Sequence, residues 1–307
     1  MAMIHAVVGL YLAWAPLGGL AVADAPTPIE LKLWPGKPPG EQGTLHGPES
    51  VQRTEKGGKT VLSLTNVSDP MLYVFPAPKS TATGTAAVIF PGGGYEHLDW
   101  TEEGQEVAAW LNSIGITAAV LKYRVGCREG ASFDYAPPMA LMDAQRAMSL
   151  VRSRAKDWGV DPTRVGVLGF SAGGHLSAWV STSAASRAYA AVDGQDRESC
   201  AADFAVLLYP YGIIKFSSKR YDANLKVGEG TPPSFLVVAS DDDFCVDNAL
   251  AYYQKLLKNG IPVELHAYES GGHSFAFRRT GKPSATWPAR CEEWMRSRGL
   301  LKIGRDR

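Results

Sequence analysis

Ser171 lies in Gly169-Phe170-Ser171-Ala172-Gly173, between Val165-Gly166-Val167-Leu168 and His175-Leu176-Ser177-Ala178-Trp179-Val180. The first flank reads as a buried strand and the second as a helix. G-x-S-x-G at a strand-to-helix junction is the spacing of a nucleophile elbow. So tight a turn strains the serine backbone and demands nearly side-chain-free neighbours two residues away. The strain lifts the hydroxyl above the sheet edge, and the helix start favours negative charge developing there. The pentapeptide alone is common; its strand–turn–helix setting makes Ser171 the candidate nucleophile.

A serine hydroxyl attacks only if a base takes its proton. Imidazole suits that task near neutral pH, and a carboxylate fixes its tautomer. Both follow in the chain. Phe235-Leu236-Val237-Val238-Ala239 reads as a buried parallel strand and ends in Ser240-Asp241-Asp242-Asp243-Phe244-Cys245-Val246. A helix over 248–258 follows, stopped by Asn259-Gly260. The strand Val263 to Tyr268 then delivers Ser270-Gly271-Gly272-His273-Ser274-Phe275. Acid and histidine therefore sit just past strand carboxyl ends, the edge where open α/β sheets place their sites. Of six histidines, His273 is the candidate base. His5 falls in a leader, His46 in an N-terminal loop, His97 beside a Gly-rich loop and His266 inside a strand. His175 reads as a packing residue. Among the three aspartates, Asp243 is preferred because it stands three residues before Val246, a D-x-x-V spacing that fits hydrolase acid loops. Asp242 is the alternative acid.

An oxyanion needs donors. Pro91-Gly92-Gly93-Gly94-Tyr95 follows the strand Val88-Ile89-Phe90, and its glycines let backbone N–H groups approach a substrate oxygen. The expected oxyanion hole combines the amide of Gly93 or Gly94 with that of Ala172. The loop lacks both phosphate-cradling patterns, G-x-x-x-x-G-K-[ST] and G-x-G-x-x-G.

These stretches resemble the α/β-hydrolase superfamily, and within it the bacterial carbohydrate-esterase-like group related to acetyl-xylan esterases and feruloyl esterases. The resemblance is carried by Phe90 to Tyr95, Glu103-Gly104, Leu121-Lys122-Tyr123-Arg124, Asp143-Ala144-Gln145-Arg146-Ala147, Gly169 to His175, Tyr209-Pro210, Asp242-Asp243 with Val246, and Gly271 to Phe275. Pro91 stands where hormone-sensitive-lipase-like enzymes carry a histidine, which favours the carbohydrate-esterase branch. The resemblance implies a serine esterase that removes short acyl groups, O-acetyl above all, from xylan-type carbohydrates through an acyl-enzyme, without a cofactor. Feruloyl or small-ester carboxylesterase, formamidase and peptidase remain open on the same fold. A non-catalytic binding protein would normally lack part of the Ser171, Asp243 and His273 set.

The chain has 307 residues, 45% hydrophobic and 20% charged, with 31 basic and 31 acidic side chains. Zero net charge gives no reason to expect a nucleic-acid or stable membrane partner; an acylated carbohydrate is the expected partner, and the oligomeric state is open. Residues 4–22 are largely apolar, and Ala21-Val22-Ala23 and Ala23-Asp24-Ala25 both fit a cleavage site. Residues 1–25 thus read as a signal peptide cut after Ala23 or Ala25, giving a secreted or periplasmic protein, although the segment before the apolar run has no Lys or Arg. The even count of Cys127, Cys200, Cys245 and Cys291 suits an oxidising compartment without choosing a pairing. No His/Cys spacing suggests a metal site.

The elements that must position these residues alternate. Residues 26–58, rich in Pro and Gly, read as an arm with little regular structure. Met71 to Phe75 reads as an antiparallel edge strand. From Ala86 onward come a strand at 86–90, a helix near 102–114, a strand at 117–123, a helix near 138–156, and strands at 165–169, 204–209, 234–239 and 263–268. Alternating βα units predict one α/β domain over 26–307, a mostly parallel sheet with helices on both faces. Residues 210–232 form the longest insertion, too short for a large lid, and read as part of the pocket wall with Tyr211. Tyr95 and Trp100, and further out His97, Tyr135 and Phe277, are candidate pocket-bordering residues.

Overall fold

The computed structural model describes residues 27–41, 44–126, 137–183, 186–277 and 281–302. The leader reading, Cys127 and Tyr135 lie outside them.

The chain enters through β1 (Ile29–Lys32), then a hairpin of β2 (Ser50–Lys56) and β3 (Lys59–Thr65). β4 (Met71–Phe75) and β5 (Ala86–Phe90) follow, then the two-residue β6 (His97–Leu98), a π-helical turn (Thr101–Gln105) and α1 (Glu106–Ser113). Next come β7 (Thr117–Lys122), α2 (Pro138–Ser153), β8 (Val165–Phe170) and α3 (Ala172–Thr182). β9 (Ala205–Leu208), β10 (Ser234–Ala239), α4 (Val246–Lys258), β11 (Val263–Tyr268) and α5 (Trp287–Ser297) complete the order.

Eight strands form one sheet in the order β1-β4-β7-β5-β8-β9-β10-β11. β1 and β4 run antiparallel to their neighbours, and every other pairing is parallel. Strands β5, β7, β8, β9 and β10 are buried along their whole length. Their continuous Val/Ile/Leu/Ala runs are what burial on both faces requires. The chain passes from β5 to β7 on one side, then returns to β8 on the other. Such a switch point opens a crevice at the strand carboxyl ends. There Phe90 pairs with Gly169, so the Gly-rich loop after β5 leaves the sheet beside the turn after β8. β10 and β11 run parallel in register, Ala239 opposite Tyr268, and bring the aspartate and histidine loops out together.

Two expectations are corrected. β4 is antiparallel but not at the edge, because β1 covers it. The segment 26–58 is not irregular: it supplies β1 and β2. Their side chains are mostly exposed: β1 alternates Ile29 and Leu31 with Glu30 and Lys32 over only four residues, and β2 has Val51 as its one apolar residue; their structure comes from backbone pairing with β4 and β3. The arm is also fastened by side chains. Trp34 Nε1 donates to Asp143 Oδ1 at 2.8 Å, and Arg146 Nε donates to the Leu33 carbonyl at 3.0 Å. Asp143 in turn takes a bidentate grip from Arg124, at 2.9 and 2.8 Å, plus the Arg124 backbone N–H. Both partners are fully buried, where a planar guanidinium matched to a carboxylate satisfies all the charge-bearing atoms. This accounts for Arg124 and Asp143 as residues of the core rather than of the site.

Among the described residues, no helix is long and apolar enough to cross a membrane. Cys200, Cys245 and Cys291 are buried free thiols.

Candidate active site

Ser171 connects β8 to α3 with φ 50° and ψ −116°, in the left-handed half of backbone space that side chains avoid. The flanking glycines are there because nothing larger fits. A Cβ on Gly169 would overlap the Gly173 carbonyl oxygen, and one on Gly173 would overlap that of Phe90. The turn is pinned by Ser171 N–H to the Leu208 carbonyl at 3.0 Å, and by the Ser171 carbonyl accepting from both His175 and Tyr211 N–H at 3.0 Å. The strained conformation is thus over-determined by its surroundings.

His273 Nε2 lies 3.0 Å from Ser171 Oγ, and its Nδ1 lies 2.8 Å from Asp242 Oδ2. The structure therefore brings Asp242, not Asp243, to the histidine. Asp243 is exposed. The three consecutive aspartates divide the work by direction. Asp241 Oδ1 accepts the N–H groups of Gly271 and Gly272 at 2.8 and 2.7 Å, clamping the histidine loop to the aspartate loop. Asp242 turns inward, 2% exposed, and its other oxygen accepts from Phe244 and Cys245 N–H at 3.2 Å each. The Asp242 carbonyl accepts from Cys245 and Val246 N–H at 3.1 Å each. Those bonds start α4 and aim the carboxylate, so the D-x-x-V count began one residue too late.

Asp242, Cys245 and His273 approach one another within 4.8 Å, a grouping of metal-ligand types that the sequence spacing did not suggest. Asp242 and His273 are paired to each other, however, and burial together with the Asp242 charge pushes the Cys245 thiol well up, away from the thiolate that a metal needs.

In the Gly-rich loop the Gly92 N–H donates to the buried Glu103 carboxyl at 2.7 Å, so it is committed. Gly93 and Gly94 both have positive φ, 121° and 65°; a Cβ on Gly93 would overlap the His97 carbonyl. Ala172 opens α3, where a first-turn N–H has no intrahelical acceptor. A Cβ on Gly92 would stand 3.1 Å from Ser171 Cβ, so the loop from which the sequence expects oxyanion donors passes beside the nucleophile, and Ala172 follows the nucleophile directly in the chain.

The expected pocket residues divide. Trp100 does not border a pocket: it is 1% exposed and packs edge-on against Tyr73 in the core. Phe277 packs on Trp110 and Trp287, and His97 pairs with Asp99 at 3.3 Å. Tyr211 stands against Ser171 through its N–H. Tyr95 turns inward, its hydroxyl 2.8 Å from His175 Nδ1. His175 Nε2 reaches Asp222 at 3.2 Å, and Lys215 pairs with the same oxygen at 2.8 Å. Burial holds His175 below its ordinary pKa, opposed by Asp222. His175 is therefore a connector between the Gly-rich loop and the 210–232 segment as well as a packed residue. Asp222 had no local signal, since its partners lie 47 and 7 positions away. The same segment is stitched to the aspartate loop by Asn248, which accepts from Ile214 N–H and donates to the Phe244 carbonyl, both at 2.7 Å.

The chain is similar to known proteins in sequence and in fold. The BD-FAE family model matches residues 72–247. Acetylxylan esterase from Xylanibacter ruminicola is 32% identical over 219 residues, 64% of this chain and 42% of that protein. The chain spans less than half the length of the curated relatives it matches. Among solved structures, an acetyl ester-xyloside bifunctional hydrolase from Caldicellulosiruptor lactoaceticus is 31% identical, with TM-score 0.71 over 90% of this chain and 98% of that one. An alpha/beta hydrolase from a Medee basin deep-sea metagenome is 26% identical, with TM-score 0.59 over 82% and 99%. With the family model matched over residues 72–247, more than half of its length, the chain belongs to the BD-FAE family of α/β hydrolases.

Proposed function

We propose that the protein is an exported serine esterase that removes short acyl groups, O-acetyl above all, from xylan-type carbohydrates. The observation that carries the reading is the run of contacts from Ser171 Oγ through His273 to Asp242, 3.0 and 2.8 Å long. Ser171 attacks the ester carbonyl carbon while His273 Nε2 takes its proton. Asp242 holds the ring with N–H at Nδ1 and offsets the imidazolium charge. The Ala172 amide and that of Gly93 or Gly94 receive the oxyanion. His273 then protonates the departing sugar oxygen, leaving the acyl group on Ser171. Water, deprotonated by the same imidazole, releases the acid and restores the serine. The likeness to an acetylxylan esterase and an acetyl ester-xyloside hydrolase supports the substrate class, and the apolar run over 4–22 supports export.

The 210–232 segment is short and fastened at Asn248 and Asp222, so it does not swing away to admit a long acyl chain. Activity on p-nitrophenyl esters should fall from acetate to butyrate and nearly vanish at octanoate. Acetylated xylooligosaccharides should lose acetate faster than simple alkyl acetates, because remote sugar contacts add to transition-state positioning. An apolar acyl channel would instead contribute up to about 0.8 kcal/mol per methylene. A kcat/KM that climbs steadily from acetate to octanoate would replace this reading with a lipase-like carboxylesterase.

A further inference from the structure

Glu103 is a buried acid that the reaction scheme leaves unused. It sits on the π-helical turn, 2% exposed. Its Oε2 accepts the Gly92 N–H at 2.7 Å, and its Oε1 pairs with the Tyr209 hydroxyl at 2.8 Å. Tyr209 stands at φ 37°, just past β9. Its hydroxyl also accepts the Ala276 N–H at 3.3 Å, and its ring meets that of His273 edge-on, 5.2 Å between centroids. One carboxyl group therefore joins the Gly-rich loop to the segment that carries His273. The nucleophile is close to it: a Cβ on Gly92 would lie 2.6 Å from Glu103 Oε2 and 3.1 Å from Ser171 Cβ.

The groups that face this carboxyl make its charge unwelcome. Asp99 and Glu102 are acids, Glu102 being already paired with Lys56. Tyr209, Tyr123 and Cys245 are the other titratable side chains within its influence. Burial first, and Asp99 second, push Glu103 up to about 8, against the opposing hydrogen bonds from Tyr209 and Gly92. The Tyr209 O–H donates to Oε1 of the carboxylate; in the neutral form the carbonyl oxygen still accepts from Gly92, and the Tyr209 hydroxyl turns from donor to acceptor to meet the acid's O–H.

We propose that Glu103 is a positioning residue for ester hydrolysis at Ser171: as a neutral acid it fixes the Gly-rich loop by the Gly92 N–H and, through Tyr209, sets that loop against His273, whereas its ionised form places a negative charge close to the developing oxyanion. This rests on the esterase reading above. Two like charges in a water-poor site repel far more than in bulk water, so ionisation of Glu103 slows the step in which the oxyanion forms.

Glutamine at 103 is uncharged at every pH: its oxygen accepts from Gly92, and the Tyr209 hydroxyl, a donor to Oε1 in wild type, turns to accept from its amide. The test follows kcat and KM for p-nitrophenyl acetate from pH 6 to 9.5. Wild-type kcat should decline above about pH 8, and Glu103→Gln should lose that decline, its advantage over wild type growing by about tenfold across the range. Tyr209→Phe should move the decline to higher pH, because the hydrogen bond it removes favours the carboxylate. Glu103→Ala leaves two buried donors unpaired and should lower kcat by about 10²-fold with KM little changed. If the alanine variant does not fold, the other two carry the test. A Glu103→Gln profile that superimposes on wild type overturns the proposal. If Ser171→Ala abolishes turnover in the same experiment, that failure leaves the esterase reading standing; undiminished turnover in Ser171→Ala sinks both.

Discussion

Asp242→Asn is expected to lower kcat/KM by about 10⁴-fold, with Asp243→Asn remaining within about twofold of wild type. The reason is directional. Asp242 Oδ1 accepts N–H groups from Phe244 and Cys245, so an asparagine must keep its oxygen on that side. Its NH₂ group then faces His273 Nδ1, where the carboxylate oxygen stood at 2.8 Å. A donor there forces the imidazole to carry its hydrogen on Nε2, pointing at Ser171 Oγ. That tautomer cannot take the serine's proton. Asp243, exposed to solvent, has no such bearing on the ring. Steady-state kinetics of both variants, with thermal melts to show that each is folded, decide the matter. Near-normal turnover in Asp242→Asn with an inactive Asp243→Asn would return the role to Asp243.

The second large effect is at Ser171. Ser171→Ala should abolish covalent labelling by an organofluorophosphonate, read as the missing mass increment in the intact protein. It should also reduce ester turnover by on the order of 10⁴-fold or more. Under the proposed mechanism, what remains is the contribution of binding and of the Ala172 amide with that of Gly93 or Gly94, which the substitution leaves in place. Persistent labelling or normal turnover would place the nucleophile elsewhere. The variant should fold, because the strained turn is held by backbone hydrogen bonds to Leu208, His175 and Tyr211 that alanine retains.

The parts of the fold that were legible are those whose burial writes itself into composition. The buried runs of β5, β7, β8, β9 and β10 are continuous apolar stretches, and each was read near its observed bounds. Ser171 and His273 were legible because the elbow and the post-strand loop constrain residue type and order together. The choice between Asp242 and Asp243 was not, since three identical side chains give no composition signal and only the turn geometry at the start of α4 separates them. β1 escaped because its alternation of Ile29 and Leu31 with Glu30 and Lys32 lasts only four residues, and β2 because Val51 is its one apolar residue. Trp100 was misassigned because an aromatic beside a Gly-rich loop looks the same in sequence whether it faces a substrate or, as here, Tyr73. The Tyr95–His175–Asp222 connection joins residues 80 and 47 positions apart, and no local pattern reports a contact of that range.

The pairing of β1 with β4 has a colloidal meaning as well as a structural one. β4 has Leu72 and Val74 buried, and without a neighbour it would offer an open row of backbone donors and acceptors on an apolar strand, a template for another chain. The strand that covers it is only four residues long and carries Glu30 and Lys32, both exposed. A second copy extending the sheet from β1 would have to accommodate those charges over a very short ladder, so this edge resists self-association. Loss of the segment through Trp34 removes the cover and the Asp143 hydrogen bond together. Trimming the protein through Trp34 is therefore expected to raise the tendency of the bared β4 edge to pair with another chain, read as a rise in light scattering over the full-length protein.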